Sequence, residues 1–153
     1  MTDSPALADP RLTRLDHEVT QHGPVASLEE AAAARGVTAG QVVKTMVVRR
    51  SADDYLFVLV PGDRTISWPK LRRHLGLNRI SMPDADEALA VTGYARGTIT
   101  PFGSTTDWPV LADASLPEVV SIGGGAHGVA ITSDSADLIS VLDADVADVT
   151  ESV

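Results

Sequence analysis

The chain has 153 residues and a net charge of -9, with 12 lysines and arginines against 21 aspartates and glutamates. An apolar fraction of 44% and a charged fraction of 22% are typical of a globular protein, and every apolar run is far shorter than the ~20 residues that span a bilayer. The absence of cysteine excludes disulfides, thiolate nucleophiles and zinc–thiolate sites. The polar, acidic start of the chain lacks the pattern of a signal peptide, which predicts a cytoplasmic protein without a membrane partner.

Charge is distributed unevenly along the chain. Residues 1–96 contain all 12 basic residues and 12 acids, whereas residues 97–153 contain 9 acids and no lysine or arginine. Nine of the basic residues are candidates for one basic face that could bind nucleic acid, and scattered solubilising charge is the alternative. These are Lys44, Arg49, Arg50, Arg64, Lys70, Arg72, Arg73, Arg79 and Arg96.

The length fits one domain, which we place at residues 10–150 after a flexible tail at residues 1–9. Apolar residues at three-to-four spacing predict a first helix from Pro10 to about Thr20. A capping-box serine, Ser27, predicts a second helix that ends at Arg35. Thr38 is expected to begin one further turn.

The rest of the chain alternates irregularly between strands and helices, which predicts an α+β fold rather than a doubly wound sheet. Apolar and β-branched runs predict strands. Segments that begin with serine, aspartate or proline predict helices. Residues 92–103 form a glycine-rich, irregular segment. The expected strands are 46–48, 55–60, 79–82, 108–111, 119–122, 129–132 and 146–149. The further helices are 67–75, 83–90 and one that begins at Ser133 or Asp134 and ends at about Leu142.

Lys44 is the least expected residue of the first strand pair, because the segment that follows it is apolar enough to be buried. An unpaired buried ammonium is costly. A lysine at such a position extends to solvent, pairs with an acid, or meets an anion in a polar cleft. The residues alone leave these alternatives open.

The segment Gly123–Gly128 matches the dinucleotide-binding pattern G-x-G-x-x-G. A strand-like run at residues 129–132 follows it, and only 25 residues remain after Gly128, so a Rossmann unit is excluded. Such a turn either brings backbone N–H groups close to a ligand or forms a tight hairpin. His127 lies within it. No metal-ligand spacing and no G-x-S-x-G motif occur, so neither a metal nor a cofactor is predicted.

Residues 93–103 form a second unusual stretch, with three glycines, one proline, two aromatic residues and Arg96. Such a stretch suits the wall of a pocket. A rigid crossover connection with Tyr94 and Phe102 packed on the core is the alternative interpretation.

Four motifs in order resemble the YbaK family of aminoacyl-tRNA deacylases, which is related to the editing insertion of bacterial prolyl-tRNA synthetase. The resemblance extends from about His22 to Leu142 and implies a mixed, curled, barrel-like β-sheet surrounded by helices in a single domain. The motifs are Gln41–Val48, Val60–Arg64, Thr92–Gly103 and Ser121–Gly125.

The resemblance also implies a function and a site. Lys44 matches the hallmark lysine of the family, and Gly97–Pro101 matches its G-x-x-x-P loop. We therefore predict that Lys44, Gly97 and Gly124 are catalytic. The predicted substrate-binding residues are Thr45, Arg96, Thr98, Ile99, Thr100, Pro101, Gly123, Gly125 and His127. His127 lies where synthetase-linked relatives have an active-site histidine.

The expected reaction is hydrolysis of the ester in a mischarged tRNA, with Ala-tRNA or Cys-tRNA specific for proline as the leading substrates. The acceptor end of tRNA is the expected partner, and an aminoacyl-tRNA synthetase is a further candidate. A non-catalytic module that binds tRNA or a nucleotide, or an adaptor that docks on a synthetase, are the alternatives.

Overall fold

The computed structural model describes residues 4–153, which form four α-helices, nine β-strands and two 3-10 helices. The helices are α1 (Leu28–Arg35), α2 (Trp68–Leu75), α3 (Ala85–Thr92) and α4 (Ser135–Leu142), and the 3-10 helices are Pro10–Arg14 and Ala39–Gln41. The strands are β1 (His17–Gln21), β2 (Val42–Ser51), β3 (Asp54–Pro61), β4 (Arg64–Ile66), β5 (Val110–Asp113), β6 (Val119–Gly123), β7 (Val129–Asp134), β8 (Asp145–Ala147) and β9 (Thr150–Ser152).

Seven strands form one mixed sheet in the order β1-β7-β6-β2-β3-β5-β8, and β4 pairs with β9 in a separate two-stranded ribbon. The long antiparallel hairpin of β2 and β3 lies at the centre. β6 runs parallel to β2 on one side, and β5 runs parallel to β3 on the other. This mixed sheet with its helices confirms the predicted α+β fold.

The central hairpin has apolar side chains on both of its faces. Phe57 and Leu59 of β3 face a larger core that includes Phe102, whereas Val58 and Val60 face a smaller core. A strand buried on both faces has a continuous apolar run instead of an alternating one. The predicted pairing of residues 46–48 with residues 55–60 is confirmed, and Lys44 does enter the sheet.

Helix caps account for the helices that were predicted well. The Ser27 hydroxyl accepts a hydrogen bond from the Glu30 N–H at 3.1 Å at the start of α1. Ser67 and Asp134 cap α2 and α4 in the same way. A side-chain acceptor at this position satisfies an N–H group that has no partner inside the helix.

The predicted helix from Pro10 to Thr20 is wrong beyond Arg14. After one 3-10 turn the chain becomes β1, which pairs with β7 from His17 opposite Ser133 to Gln21 opposite Val129. Leu12 and Leu15 are buried as the spacing predicted, but Val19 is 43% exposed, so no continuous apolar face exists. Pairing with the edge of the sheet satisfies the backbone instead.

Two further expectations need correction. The predicted strand at residues 79–82 is reduced to one bridge between Arg49 and Ser81. Of the predicted flexible tail, residues 1–3 lie outside the described residues, whereas residues 4–9 pack on the domain. Ser4 and Ala6 are buried there.

Candidate active site

A cavity of about 320 Å³ opens where β2 and β6 separate. The two parallel strands pair only at Val42 opposite Ser121 and Val43 opposite Ile122. β2 continues to Ser51, whereas β6 ends at Gly123. The strand edge beyond Val43 therefore faces a cavity, which the 93–103 loop and the start of α3 close on its other side.

Six of the twelve predicted site residues line this cavity. They come from three separate parts of the chain and meet because of the fold. The six are Lys44, Thr45, Arg96, Gly97, Ile99 and Gly123. The 93–103 loop lies directly against the end of β6, since a Cβ placed on Gly123 would lie 3.5 Å from the Ile99 carbonyl oxygen.

Lys44 is held in place by the first residue of β4. Its ammonium group donates a hydrogen bond to the Arg64 carbonyl oxygen at 2.8 Å. Burial lowers the pKa of the Lys44 ammonium below its usual value, and the charge of Asp63 opposes that shift. An ammonium has three donors. One of them fixes its position, and two remain for a ligand.

Thr45 adds an unsatisfied polar atom to the same wall. Its hydroxyl is buried, and it has no hydrogen-bond partner among residues 4–153. Most buried polar side-chain atoms in proteins have a partner. A ligand in the cavity can supply the partner that the protein does not.

The G-x-x-x-P loop presents Gly97 and Ile99 to the cavity and buries the residues between and after them. The Thr98 hydroxyl donates to the Ala95 carbonyl oxygen at 2.7 Å. Thr98, Thr100 and Pro101 are buried and do not line the cavity. Of the predicted substrate-binding residues Ile99, Thr100 and Pro101, only Ile99 therefore lines the cavity.

The glycine-rich segment at residues 123–128 contributes only Gly123, the last residue of β6, to the cavity wall. The Gly124 N–H donates to the Val129 carbonyl oxygen at 2.8 Å, and the Gly124 carbonyl oxygen accepts from the Ser4 hydroxyl at 2.6 Å. Gly125 packs against Tyr94 and the N-terminal segment. The structure thus does not bring Gly124 or Gly125 to the cavity, and the amide of Gly124 already has an acceptor.

His127 lies beside the cavity, not in it. The side chain is exposed, and its Cε1 atom would lie 3.6 Å from a Cβ placed on Gly97. It lines a separate cleft with His22. The part of the chain that the structure describes has no group of three or more histidine, aspartate or glutamate side chains placed to hold a metal ion.

Sequence reasoning missed several residues of the cavity. Arg35, at the end of α1, lines it, as do Met82, Pro83, Asp84 and the first turns of α3. No local pattern marks them. Arg35 reaches the site only because α1 packs beside the junction of β2 and β6, a contact between residues far apart in the chain.

The cavity is electropositive in a protein whose net charge is negative. Lys44, Arg35 and Arg96 line it, with Asp84 as the one acid among the described lining residues. The Asp84 carboxylate accepts from the Glu87 N–H at 2.8 Å as the cap of α3. Cations grouped in a concave site favour an anionic ligand.

The basic residues expected on one face are divided between this cavity and other places. Arg49, Arg50, Arg72 and Arg79 line a second, more open cleft of about 540 Å³. Lys70 instead pairs with Asp148 at 3.0 Å. The two basic clefts share β2, since its first half lines the cavity and its last residues line the second cleft.

The model of the aminoacyl-tRNA editing domain family matches residues 22–141, and the chain belongs to this family. The match confirms the resemblance inferred from the four motifs. The sequence-based prediction of an aminoacyl-tRNA hydrolase agrees with this membership.

Relatives of known name agree with this placement. The chain is 35% identical over 101 residues to a proline–tRNA ligase of Geobacter sp. (strain M21). The matched region covers 66% of this chain but only 18% of that ligase. It is 24% identical over 126 residues, 81% of this chain and 77% of the relative, to EbsC of Enterococcus faecalis, named as a candidate Cys-tRNA(Pro)/Cys-tRNA(Cys) deacylase. The chain thus spans about a fifth of the ligase.

Solved structures contain the same fold over nearly the whole chain. The crystal structure of a candidate trans-editing enzyme for prolyl-tRNA synthetase superposes with a TM-score of 0.84 and 25% identity, covering 99% of both chains.

No helix of residues 4–153 has the length and apolar character needed to cross a membrane.

Proposed function

We propose that this protein is a trans-editing deacylase that hydrolyses the ester of a mischarged tRNA, with Ala-tRNA or Cys-tRNA specific for proline as its substrate. The observation that carries the proposal is the position of Lys44 in an electropositive cavity beside Gly97 and Gly123. The names of the relatives support proline tRNA, because they include proline–tRNA ligases and a protein named as a candidate Cys-tRNA(Pro)/Cys-tRNA(Cys) deacylase.

The chemistry needs neither a side-chain nucleophile nor a metal ion. An aminoacyl ester is already activated, so positioning and electrostatic stabilisation supply the acceleration. Water adds to the ester carbonyl, the bond from that carbon to the ribose oxygen breaks, and the ribose oxygen takes a proton as the amino acid leaves. The substrate's neighbouring ribose hydroxyl helps to orient the attacking water.

Two groups of the cavity are available for the charge that develops on the carbonyl oxygen or for the terminal phosphate. Lys44 has two free donors after its bond to Arg64. The Gly97 N–H makes no backbone hydrogen bond within the described residues. Donors fixed before the reaction stabilise the transition state at little reorganisation cost. Gly124 has no such role in this mechanism, because its N–H is bonded to Val129.

Selectivity follows from the size and the lining of the cavity. Apolar side chains from β2, α3 and the loop, among them Val43, Ala88 and Ile99, leave room for a small amino acid. Discrimination by one methylene is worth only ~1–3 kcal/mol, whereas steric exclusion of a larger cognate amino acid is more effective. Val43 and Ile99 form the boundary in this proposal.

The second basic cleft supports contact with the tRNA backbone. Arg72 and Arg79 line it and form no ion pair with a carboxylate of residues 4–153. Arg50 pairs with Asp54 at 2.7 Å and is less available. Arginines without acidic partners suit phosphate groups, which agrees with the acceptor end as the ligand.

The test is deacylation of a panel of mischarged tRNAs, with Ala-tRNA and Cys-tRNA for proline first, by the wild type and by Lys44→Ala. We expect Lys44→Ala to lower kcat/KM by about 100- to 1,000-fold, as for loss of a major electrostatic stabiliser. Lys70→Ala is the matched control, because Lys70 is the only other lysine and it pairs with Asp148 away from the cavity.

Three results would count against the proposal. A folded Lys44→Ala variant that deacylates at the wild-type rate would remove the lysine from the mechanism. A wild type that binds tRNA without hydrolysing any member of the panel would favour a binding module, and binding to a synthetase without tRNA would favour an adaptor.

A further inference from the structure

Arg35 is a cation at the cavity wall, and some of its hydrogen-bond donors have no partner among residues 4–153. Within residues 4–153 its guanidinium makes one hydrogen bond, from Nη1 to the Ser121 carbonyl oxygen at 3.3 Å. The Nε atom is buried without a hydrogen-bond partner in residues 4–153, and the side chain forms no ion pair with a carboxylate of those residues. Burial lowers the pKa of Arg35, but a guanidinium stays charged.

Capping of α1 does not explain this arginine. A basic side chain in the last turn can bind the final carbonyl groups of a helix. In α1 two of those groups already have donors, since the Gly36 N–H bonds to the Ala33 carbonyl oxygen at 3.1 Å and the Val37 N–H bonds to the Ala32 carbonyl oxygen at 2.9 Å. The head of the Arg35 side chain instead reaches β6.

A partly desolvated guanidinium with unused donors costs stability unless an anion completes its hydrogen bonds. Arg35 offers a planar arrangement of donors that matches two oxygens of one phosphate. Because Arg35 faces the cavity, an anion inside the cavity can supply those oxygens.

The register of the sheet places this anion site relative to Lys44. Arg35 bonds to Ser121, which lies opposite Val42, and Lys44 is two residues further along β2. Two residues of a strand span about 7 Å of backbone, so the two side chains reach the cavity from neighbouring positions of its wall. The 3′ ester and the 5′ phosphate of a terminal adenosine lie on opposite sides of one ribose, so two cations arranged in this way can address both.

We propose that Arg35 binds the phosphodiester group on the 5′ side of the terminal adenosine, which leaves Lys44 for the ester. This assignment rests on the proposed deacylase function and extends it, because it names which part of the tRNA each cation recognises. Arg35 is then a substrate-binding residue specific for a nucleotide chain longer than one nucleoside.

The test uses two small substrates that differ by that phosphate. One is adenosine esterified with the amino acid that the tRNA panel selects, and the other is the same ester of the dinucleotide cytidylyl-adenosine. For Arg35→Gln we expect kcat/KM to fall about 10- to 100-fold more on the dinucleotide ester than on the adenosine ester, as for loss of a charge-assisted contact. Arg35→Lys should restore part of the difference.

Lys44→Ala should lower the rate on both esters alike, and Arg14→Gln, at an exposed position outside the cavity, is the control for removing an arginine. Equal losses on the two esters for Arg35→Gln, or no loss, would overturn the assignment. Thermal unfolding shows whether Arg35→Gln is folded at the assay temperature. A loss of folded protein would lower the rates on both esters equally, whereas a loss of phosphate recognition would lower the rate on the dinucleotide ester more.

Failure of the deacylase function would look different. In that case the wild type hydrolyses neither ester, and binding of unesterified cytidylyl-adenosine and of adenosine becomes the readout. Weaker binding of the dinucleotide by Arg35→Gln, with adenosine binding less affected, would support the phosphate contact on its own. Unchanged dinucleotide binding would overturn it.

Discussion

The two glycine-rich stretches, residues 93–103 and residues 123–128, were both expected to contact the substrate, but the structure uses them differently. In the first, Gly97 is exposed at the cavity wall and its N–H makes no backbone hydrogen bond in the described chain. In the second, Gly124 is buried and both of its backbone polar groups have partners. A glycine motif indicates that another group comes close to the backbone. The hydrogen-bond partners of its N–H and carbonyl groups then show whether that group belongs to the protein or leaves room for a ligand.

The N-terminal segment links the two stretches and explains why the second is closed. Ser4 donates to Gly124, and Asp9 accepts from the Gly103 N–H at 2.8 Å. Asp9 also pairs with Arg11 at 2.8 Å. Residues 4–9 therefore occupy the space beside the second turn, where a ligand would otherwise reach the backbone.

The largest expected effect on stability is that of Gly124→Ala. The added Cβ would lie 2.5 Å from Val129 Cγ1 and 3.1 Å from the Val129 backbone. Overpacking of this kind costs about 1–3 kcal/mol, and each kcal/mol lowers Tm by roughly 2–4 °C in a domain of this size. We expect a lower Tm with near wild-type deacylation per folded molecule well below Tm. Lost activity at unchanged Tm would instead place Gly124 in the catalytic site.

Gly97→Ala should show the opposite pattern. Its φ of +88° makes alanine strained, at about 1–2 kcal/mol, but the added methyl group meets only His127, at 3.6 Å. Gly97 lines the cavity and its N–H is one of the two proposed donors, so a shift of the strained backbone displaces that donor, and we expect kcat/KM to fall roughly tenfold or more.

Gly76→Ala is the matched control for that strain, since Gly76 has a φ of +69° in open space at the end of α2, outside the cavity. Both variants should lose similar stability, and only Gly97→Ala should lose activity. Equal activity in the two would show that Gly97 serves the backbone conformation alone.

Local signals explain which parts of this fold could be predicted. The caps at Ser27 and Ser67 and the apolar runs of β2 and β3 are complete within a few residues of sequence, and the structure contains those elements. The interpretation of residues 10–20 failed because a three-to-four spacing of Leu12, Leu15 and Val19 does not reveal that an edge strand is available for pairing.

The residues of the candidate site also differ in whether a local sequence pattern marks them. Lys44 and Gly97 could be predicted because both lie in motifs that resemble those of the family, the lysine at the head of an apolar strand and the glycine in the G-x-x-x-P loop. Arg35 could not be inferred, because its place at the cavity depends on the pairing of β2 with β6 and because its buried Nε lacks a hydrogen-bond partner only in the folded arrangement of residues 4–153. His127 has a suggestive sequence position, but its side chain lies beside Gly97 outside the cavity.

The smallest expected effect concerns Tyr94, which joins the two glycine-rich stretches. Its hydroxyl donates to the Phe102 carbonyl oxygen at 2.6 Å, and a Cβ on Gly125 would lie 2.9 Å from its ring. Burial, with the charge of Asp9, raises the pKa of Tyr94 to about 12 from the usual 10.0. Between these values the unfolded chain loses a proton that the folded protein retains, so the free energy of unfolding falls as pH rises.

Tyr94→Phe removes that proton and also the hydrogen bond, which is worth about 1 kcal/mol. The variant should therefore be less stable than the wild type at pH 8, and the difference should shrink as pH rises from about 10 to 12. Urea unfolding of both proteins at several pH values measures it. A constant difference would mean that Tyr94 ionises as freely in the folded protein as in the unfolded chain, and that its contact between the two stretches is open to solvent.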